Sequence, residues 1–368
     1  MQKNQSYNTR AERAFIELVC CGVSGNSLDE NIFRDLSRED WERIYAMAKR
    51  QTVCGICYKA YCKLPDSLLP DGHLLSRWVA RVNAIETFNH SMSEAVTSLV
   101  SMLREHGFHP VVQKGLSVAR FYSNPELREC GDIDLWLPDP EARRAVEFLR
   151  GIAPDLKSHP DGSKSFVYSG FVVELHPSLI NISRPFLSYD LETFAIKRCA
   201  KYVDNEAPIP SPPPLLELLL INVHIMKHAF GTGIGLRHIC DYMCASYALK
   251  GKYKEAEFEE ACSILGLSKW TALLNEFLVK ILKASPDMLP PTSYQKKGDM
   301  PIGSLLRIII EGGNFGHHLR RNSSAADTPA RGKFHTISMF LKRSRFAASI
   351  APGEAFWSFS RLMLGQIH

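Results

Sequence analysis

With 368 residues, the chain is long enough for two or three domains of ordinary size. Hydrophobic residues make up 45% of it and charged residues 23%, a balance that is typical of globular proteins and excludes a disordered or fibrous chain. The formal net charge of +5 at pH 7 is a mild excess and does not by itself require a nucleic-acid partner.

The first region, residues 1–106, is predicted to be helical. Ser37 followed by Asp40 is typical of a capped helix start, and the apolar positions after it repeat at helical spacing. Residues 63–72 form a loop rich in Pro, Asp and Gly, and a longer apolar stripe follows and stops at Gly107, which suits a helix C-terminus. The two stripes are Trp41, Ile44, Tyr45 and Ala48, and then Ile85, Phe88, Met92, Ala95, Leu99 and Met102.

The second region, residues 107–206, changes to a mixed pattern of short strands and one helix. Period-2 alternation and β-branched residues indicate the strands, and a proline near the first turn with a glycine past the end indicates the helix. The predicted elements are strands at 108–113 and 132–137, a helix at 140–150, and a hairpin of 165–168 and 171–176 around Ser169-Gly170.

The third region, residues 207–368, opens with APIPSPPP, which has five prolines in seven residues from Pro208 and marks a domain boundary. From Leu215 the pattern is helical again. Residues 312–333 are rich in Gly, Asn, Ser and Ala and are predicted to be a mobile loop, and the tail at 337–366 alternates basic and apolar positions. The predicted fold class is therefore α+β, with a small mixed-sheet domain between two helical regions.

Two acidic side chains share one face of the predicted strand in GDIDLW, residues 131–136. Side chains at i and i+2 of a strand point the same way, so Asp132 and Asp134 lie together while Ile133 and Leu135 take the other face. Adjacent carboxylates repel each other unless water or a cation lies between them, and aspartate is disfavoured in strands. Alone, the pattern fits a solvated edge strand as well as it fits a cation site.

Two neighbouring segments favour the cation site. Upstream, a strand runs into Lys114-Gly115 and then a helix, where backbone N–H groups can approach a phosphate. Downstream, Glu174 stands among apolar residues in the strand FVVELH, which is unusual unless it faces a site. Three carboxylates beside a phosphate-binding turn are what in-line phosphoryl chemistry with two divalent ions requires.

The segments KGLSVARFY (114–122), LRECGDIDLWL (127–137) and VVELHPSL (172–179) resemble an uncharacterised bacterial nucleotidyltransferase-like family of the polymerase-β superfamily. That superfamily is recognised by a Gly-Ser turn, a strand with two alternating aspartates and a third carboxylate. Weaker similarity extends to DWERIYAMAKRQTV in the first region and to LLINVHIMKHAF and LRHICDY in the third. The resemblance implies a nucleotidyltransferase-type mixed sheet as the catalytic domain at 107–206, with helical flanks at 1–106 and 207–368.

The resemblance also implies the metal chemistry. Asp132 and Asp134 would bind both divalent ions, Mg²⁺ or Mn²⁺. Glu174 would bind the catalytic ion and help to deprotonate the hydroxyl of an acceptor. These three residues are therefore the expected catalytic and metal-binding set.

The phosphates of an NTP substrate are expected near Lys114, Gly115 and Ser117. The superfamily turn has Gly followed directly by Ser, whereas here one residue separates Gly115 from Ser117. Arg128 precedes the acidic strand and can reach a phosphate with its planar guanidinium, or it is a solvated loop residue. His176, on the same strand face as Glu174, either contacts the nucleotide or acceptor or is a core histidine.

A second group of polar residues is predicted on the helices of the third region. His224 and His228 are one helical turn apart, a spacing that can bind metal when a third ligand converges, although packing or a place in the cleft fits equally. GTGIG at 231–235 fits a turn between helices better than a dinucleotide loop, because no strand precedes it. The candidate cleft-lining residues are His224, Lys227, His228, Arg237 and Asp241.

The lack of a signal-peptide pattern and the spacing of the cysteines predict a cytoplasmic protein. The N-terminus is polar, and the longest apolar stretch, Leu215 to Met226, falls short of the ~20 residues that a membrane span needs. Cys54 and Cys57 form a CxxC pair without a second pair at zinc-finger spacing. The ten cysteines are therefore expected to be free thiols, most of them buried.

The leading functional hypothesis is an enzyme that transfers a nucleoside monophosphate from an NTP to a hydroxyl of an unidentified acceptor. The acceptor class stays open among a small molecule, a sugar, a protein side chain and an RNA end. The pattern also resembles nucleotidyltransferase toxins of bacterial defence modules, for which RNA or protein would be the target.

Two other classes of function remain open. One is a catalytically silent nucleotide-sensing or partner-binding protein with the same fold. The other is a nucleic-acid-binding module that uses residues 291–350, a segment that contains ten Lys and Arg residues and only three acidic residues. That region carries no known nucleic-acid-binding motif, so a solvated charged face explains it as well.

Overall fold

The computed structural model describes residues 9–139, 141–231, 233–295, 298–313 and 329–364. Helices dominate both ends of this chain, and five strands lie between them. The helices are α1 Arg10–Ser24, α2 Arg38–Arg50, α3 Cys54–Tyr61, α4 Gly72–Glu105, α5 Gly115–Ala119, α6 Glu141–Ile152, α7 Pro185–Tyr202, α8 Pro214–Phe230, α9 Leu236–Leu249, α10 Glu255–Ile264, α11 Ser268–Ile281, α12 Ile302–Gly312, α13 Pro329–Ile350 and α14 Pro352–Met363. The strands are β1 Val111–Gln113, β2 Ile133–Trp136, β3 Lys157–Ser158, β4 Lys164–Tyr168 and β5 Phe171–His176.

The strands form one mixed sheet in the order β1-β2-β5-β4-β3. β2 and β5 run parallel, and the other neighbouring pairs are antiparallel. With helices packed before and after this sheet, the predicted α+β class is confirmed. The strand predicted at 108–113 is shorter, since only Val111–Gln113 pair with β2, whose own four residues end at Trp136.

The proline-rich segment lies along the outer edge of the sheet. The backbone N–H of Val112 points away from β2 and donates to the carbonyl of Pro210 at 2.7 Å. This bond satisfies a donor that the edge strand would otherwise leave without a partner. The segment that connects α7 to α8 is thus bound to β1 at Pro210.

The predicted hairpin is confirmed as β4 and β5, joined by Ser169-Gly170. Both turn residues have positive φ, 49° and 83°, which is the conformation that a two-residue turn between twisted strands demands. Because the turn is only two residues long, it fixes the register of β5 against β4 and so decides which side chains of β5 share a face.

The N-terminus of α2 agrees with the prediction from the sequence. Ser37 and Asp40 form a capping box, and the four apolar residues predicted to face the core are buried. In α4 the prediction for Phe88 is wrong, because it is 40% exposed and packs edge-to-face on Phe171. The core-facing position is taken by Asn89 instead, whose amide donates to the carbonyls of Glu126 and Arg128 at 2.6 and 2.8 Å.

Buried side chains form two clusters. One runs from the N-terminal helices to the C-terminal helices, which also meet through hydrogen bonds such as Gln51 Nε2 to the carbonyl of Ile309 at 2.8 Å. The other lies between the sheet, the C-terminal half of α4 and α6. The two helical regions thus share a core across the sheet, and their division at 106 and 206 stays a prediction.

The C-terminal region agrees in part with the sequence. Helix α13 ends at Ile350, and α14 begins at Pro352. Of the loop predicted at 312–333, residues 314–328 lie outside the described residues, and 329–333 are wrong because they begin α13. No helix in the described ranges has the length and apolar character that crossing a membrane requires. All ten cysteines are free thiols, and eight of them are buried.

Candidate active site

The site begins with two strands whose acidic residues lie side by side. In the parallel register of β2 and β5, Asp134 lies directly opposite Glu174. Residues two apart on a strand share a face, so His176 joins Glu174 on that face. The residues next to them on β2 and β5 point into the core, where Ile133 and Leu175 are buried.

Asp134, Glu174 and His176 converge closely. One ligand atom from each lies within 4.8 Å of the other two, and among the described residues no other set of three acidic, histidine or cysteine side chains does so. His176 Nε2 is 2.5 Å from Asp134 Oδ1 and 3.7 Å from Glu174 Oε2. The structure thus brings two of the three predicted carboxylates together and adds His176 as the third converging group.

Asp132 lies at the entrance to β2, beside this group. It is partly buried, and burial together with the negative charges of Asp134 and Glu174 raises the pKa of its carboxyl to about 6. All three predicted carboxylates therefore share one electrostatic environment. Asp132 nevertheless lies outside the tightest set of three.

Lys114 supplies the positive charge at the centre of the site. Its Nζ is 3.1 Å from Asp134 Oδ1 and 3.3 Å from His176 Nε2. Burial alone would raise the pKa of Asp134, but the Lys114 charge and the His176 hydrogen bond outweigh it, and the pKa lies below its usual range. The ammonium holds the position beside the carboxylate that a bound cation would take.

The turn that carries Lys114 has an uncommon backbone. Lys114 has φ 54° and Gly115 has φ 31°, both in the left-handed region, where β-carbons are crowded. A Cβ on Gly115 would lie 3.3 Å from the carbonyl oxygen of Asp132, tighter than ordinary contact. The turn is thus held against the start of β2, and a strained residue at such a point is a feature of functional sites.

These residues lie on the wall of one cavity of about 460 Å³. The sheet contributes Asp134 and Glu174, and α5, α8, α9, α14 and the loops between elements contribute the other lining residues. The sequence-predicted residues that line the cavity are Lys114, Gly115, Arg128, Asp132, Asp134, Glu174, His176, His224, Lys227, His228, Arg237 and Asp241. The sheet and the helical flank therefore build this cavity together.

Three histidines on α8 and α9 lie against one another in the wall. The ring centroids of His224 and His228 are 4.4 Å apart, and His238 lies 5.5 Å from His224. Burial and the charges of Lys114 and Lys227 lower the pKa of His228 to about 3, and burial lowers the pKa of the other two well below the usual value. They are therefore neutral near pH 7, and positive charge in this wall comes from lysine and arginine.

Arg128 and Asp241 line the cavity but are bound to each other. Arg128 donates from Nε at 3.0 Å and from Nη2 at 2.7 Å to the two oxygens of Asp241, and Tyr122 donates to the same carboxylate at 2.7 Å. Both charged side chains are almost fully buried. A bidentate pair of this kind fixes the loop before β2 to α9 and leaves Arg128 little freedom to bind a nucleotide.

Ser117 does not line the cavity, in contrast to its predicted place near the phosphates. It is fully buried, and its hydroxyl donates to Glu217 on α8 at 3.0 Å. Arg120 donates to the same carboxylate at 3.0 Å. The residue that separates Gly115 from Ser117 turns the hydroxyl into the α5–α8 interface, so its role here is to hold the two helices together.

Several cavity-lining residues carried no signal that distinguished them in the sequence. Gln113, at the end of β1, pairs with Asp134, is almost fully buried and has no hydrogen-bond partner for Nε2 in the described part of the chain. Its place directly before Lys114 was the one available sign. Further polar residues of this kind are Asp161, Ser178, Asn181 and Ser358.

The donor set fits a divalent metal ion. Carboxylate oxygens and an imidazole nitrogen from Asp134, Glu174 and His176 are ligands that Mg²⁺ and Mn²⁺ accept, and Asp132 adds an oxygen nearby. The Lys114 ammonium, held at 3.1 Å from Asp134, shows that the set attracts a cation. The converging side chains could therefore hold a metal ion.

Comparison with known families identifies the class of protein. A family model described as an uncharacterised nucleotidyltransferase matches residues 37–282, about two thirds of the chain. The chain belongs to this nucleotidyltransferase family. The match begins at the capping serine of α2 and runs past the end of α11, so it includes α8 and α9 of the cavity wall but not α14. Searches among curated proteins and among solved structures found no match.

Proposed function

We propose that the protein transfers a nucleoside monophosphate from an NTP to a hydroxyl group of an acceptor. The acceptor oxygen attacks the α-phosphorus, the bond from that phosphorus to the bridging oxygen of the β-phosphate breaks, and pyrophosphate leaves. The hydroxyl proton passes to a carboxylate of the site and then to solvent. The observation that carries this proposal is the in-register pair of Asp134 and Glu174 inside a cavity that basic side chains also line.

Each residue of the acidic face has a proposed role. Asp134, Glu174 and His176 would hold a divalent ion, and Asp132 is a further carboxylate on the same cavity wall. When bound, such an ion neutralises phosphate charge and lowers the pKa of a hydroxyl. Of the two paired carboxylates, Glu174 is the more exposed, with 37% of its side chain accessible. It would take the proton from the hydroxyl group of the acceptor.

The buried partners of the acidic face position it. The Arg128–Asp241 pair and the Ser117–Glu217 hydrogen bond tie the two turns that flank the site to α9 and α8. Positioning of this kind supplies much of the rate enhancement in phosphoryl transfer, because little else is required of the protein.

The test is transfer of label from NTPs into acceptors of a cell extract. Wild-type protein with Mg²⁺ or Mn²⁺ should move label from α-labelled NTP into an acceptor, and Glu174→Gln should lower that rate by about a hundredfold or more, or ~2.7 kcal/mol. Glu147→Gln, an exposed carboxylate on α6 away from the cavity, is the matched control and should behave as wild type.

The position of the label separates this proposal from its rivals. Transfer from γ-labelled NTP alone would make the protein a kinase and contradict nucleotidyl transfer. Tight nucleotide binding without transfer of either label would favour the silent nucleotide-sensing protein.

A further inference from the structure

Arg237 on α9 is a buried cation without a carboxylate partner. It is 7% exposed, and no acidic side chain in the described ranges lies within ion-pair distance of it. Its Nη1 donates to the carbonyl of Glu129 at 2.6 Å, Nη2 is 3.4 Å from His238, and the buried Nε has no partner. A guanidinium has five N–H donors, so most of this group's capacity is unused where it lines the cavity.

Lys227 on α8 is in a similar position. It is partly buried, lines the same cavity, and forms no ion pair with a described carboxylate. Burial lowers the pKa of Lys227 to about 8 and also lowers the pKa of Arg237. Burying a cation without an ion-pair partner is costly, and the nearby carboxylate charges, Asp241 and Asp132 for Arg237 and Glu354 for Lys227, offset that cost only in part, since both pKa values stay lowered.

The turn at Lys114, where the sequence places the phosphates, has less to offer. Lys114 is already bound to Asp134 and His176, and Ser117 is turned away to Glu217. We therefore propose that Lys227 and Arg237 bind the polyphosphate of the nucleotide, with the acidic face of β2 and β5 beside its α-phosphate. That the anion belongs to a nucleotide rests on the proposed function.

The chemistry of the wall selects a polyphosphate over a simpler anion. Two cations from separate helices face one cavity, so one charge on the ligand would leave the other cation unmatched. Arginine engages phosphate oxygens with a planar pair of donors, and lysine adds a point charge. The neutral His224 and His228 lie beside them as hydrogen-bonding groups that add no charge.

Titration calorimetry with inorganic tripolyphosphate tests the site without a nucleoside or an acceptor. Binding is measured in metal-free buffer and again with excess Mg²⁺, for wild type, Lys227→Gln, Arg237→Gln and Lys114→Gln. The control Lys250→Gln removes the same charge at the end of α9, outside the cavity. Thermal melts show whether each variant is folded, and Lys227→Gln decides the matter if Arg237→Gln does not fold.

We expect tripolyphosphate to bind wild type and the control, and Lys227→Gln and Arg237→Gln each to weaken binding about tenfold or more. No binding to wild type in either buffer would overturn the inference. Equal binding by folded Lys227→Gln and wild type would also overturn it, as would a loss confined to Lys114→Gln. If tripolyphosphate binds as expected but no label is transferred from NTP, the proposed function fails while the anion site stands.

Discussion

Lys114 competes with a metal ion for the acidic side chains of the site. Its ammonium lies 3.1 Å from Asp134 and touches His176, so it neutralises the groups that would bind a metal ion. A divalent ion entering this site must displace the ammonium or share the carboxylate with it.

Replacing Lys114 should therefore strengthen metal binding in the absence of nucleotide. We expect Lys114→Met to bind Mn²⁺ about tenfold more tightly, a change of ~1.4 kcal/mol, because the acidic set loses its internal counter-charge. Calorimetry or Mn²⁺ electron paramagnetic resonance measures it. Lys157→Met, an exposed lysine on β3, is the control and should leave the affinity unchanged. Weaker Mn²⁺ binding by Lys114→Met would show that the lysine supports the metal site.

Glu217 makes stability depend on pH. Burial raises the pKa of its carboxyl to about 7, against the opposing effects of Arg120 and Ser117. A carboxyl whose pKa is higher in the folded than in the unfolded state adds stability below the unfolded pKa, and this stability is lost as pH rises through about 7. The window therefore runs from about pH 4.3, the usual glutamate pKa, to about pH 7.

Glu217→Gln should remove this dependence. Relative to wild type, the variant should become more stable as pH rises from 5 to 8, by up to about 3 kcal/mol in the free energy of unfolding. Urea unfolding of both proteins at four pH values gives the difference, and Glu147→Gln serves as a solvent-exposed control. A difference between variant and wild type that stays constant across this range would contradict the assignment.

Among the secondary-structure elements, the hairpin of β4 and β5 sets the site. Its two-residue turn fixes the register of β5, and that register places Glu174 opposite Asp134. Gly170 in this turn has φ 83°, and a Cβ there would meet no atom within 4 Å, so backbone conformation alone favours glycine.

Gly170→Ala should lower the free energy of unfolding by about 1 kcal/mol, because the left-handed conformation is costly for any residue with a β-carbon. Gly151→Ala, within α6 and equally open, should be neutral or slightly stabilising since alanine favours helix. Urea unfolding of both variants measures the contrast. Equal effects at the two positions would show that the turn is not held in this conformation.

The elements also show what the sequence can reveal. The capping box at Ser37, the hairpin turn and the alternating strand at Asp134 depend on residues close in the chain, and their predictions are confirmed. The role of Asn89 in α4 depends on carbonyls 37 and 39 residues away, and the sequence pattern placed Phe88 there instead.

The same distinction applies within the site. The carboxylates of β2 and β5 were found because strand periodicity is local, but the partners of Ser117 and Arg128 lie 100 and 113 residues further along. No local pattern indicates that Glu217 and Asp241 would take these side chains. The phosphate contacts predicted for Ser117 and Arg128 therefore rest on local chemistry alone, which does not include these distant partners.

For the whole molecule, the sheet depends on helices from both ends of the chain. Its core cluster includes the C-terminal half of α4, and its turns are tied to α8 and α9. A fragment of residues 107–206 loses all of these contacts. The cavity, too, would lose the walls that α8, α9 and α14 provide.

We expect the isolated fragment 107–206 to lack a cooperative unfolding transition, while the full chain unfolds cooperatively. Circular dichroism melts and dispersion of amide resonances compare the two. Missing apolar burial from α4 and buried groups without partners at Ser117 and Arg128 are the reasons. A fragment that melts sharply with dispersed resonances would show that the predicted boundaries at 107 and 206 delimit an autonomous domain.

The bond between Val112 and Pro210 has a consequence for how large acceptors are recognised. An exposed strand edge can capture an extended peptide as an additional strand, which reads mainly the peptide's backbone. Here Pro210, which has no N–H group, accepts the outward hydrogen bond of β1, so the segment around it occupies the place of a further strand. A protein acceptor therefore cannot be bound as a strand added at β1, and self-association through this edge of the sheet is blocked in the same way by the segment at Pro210.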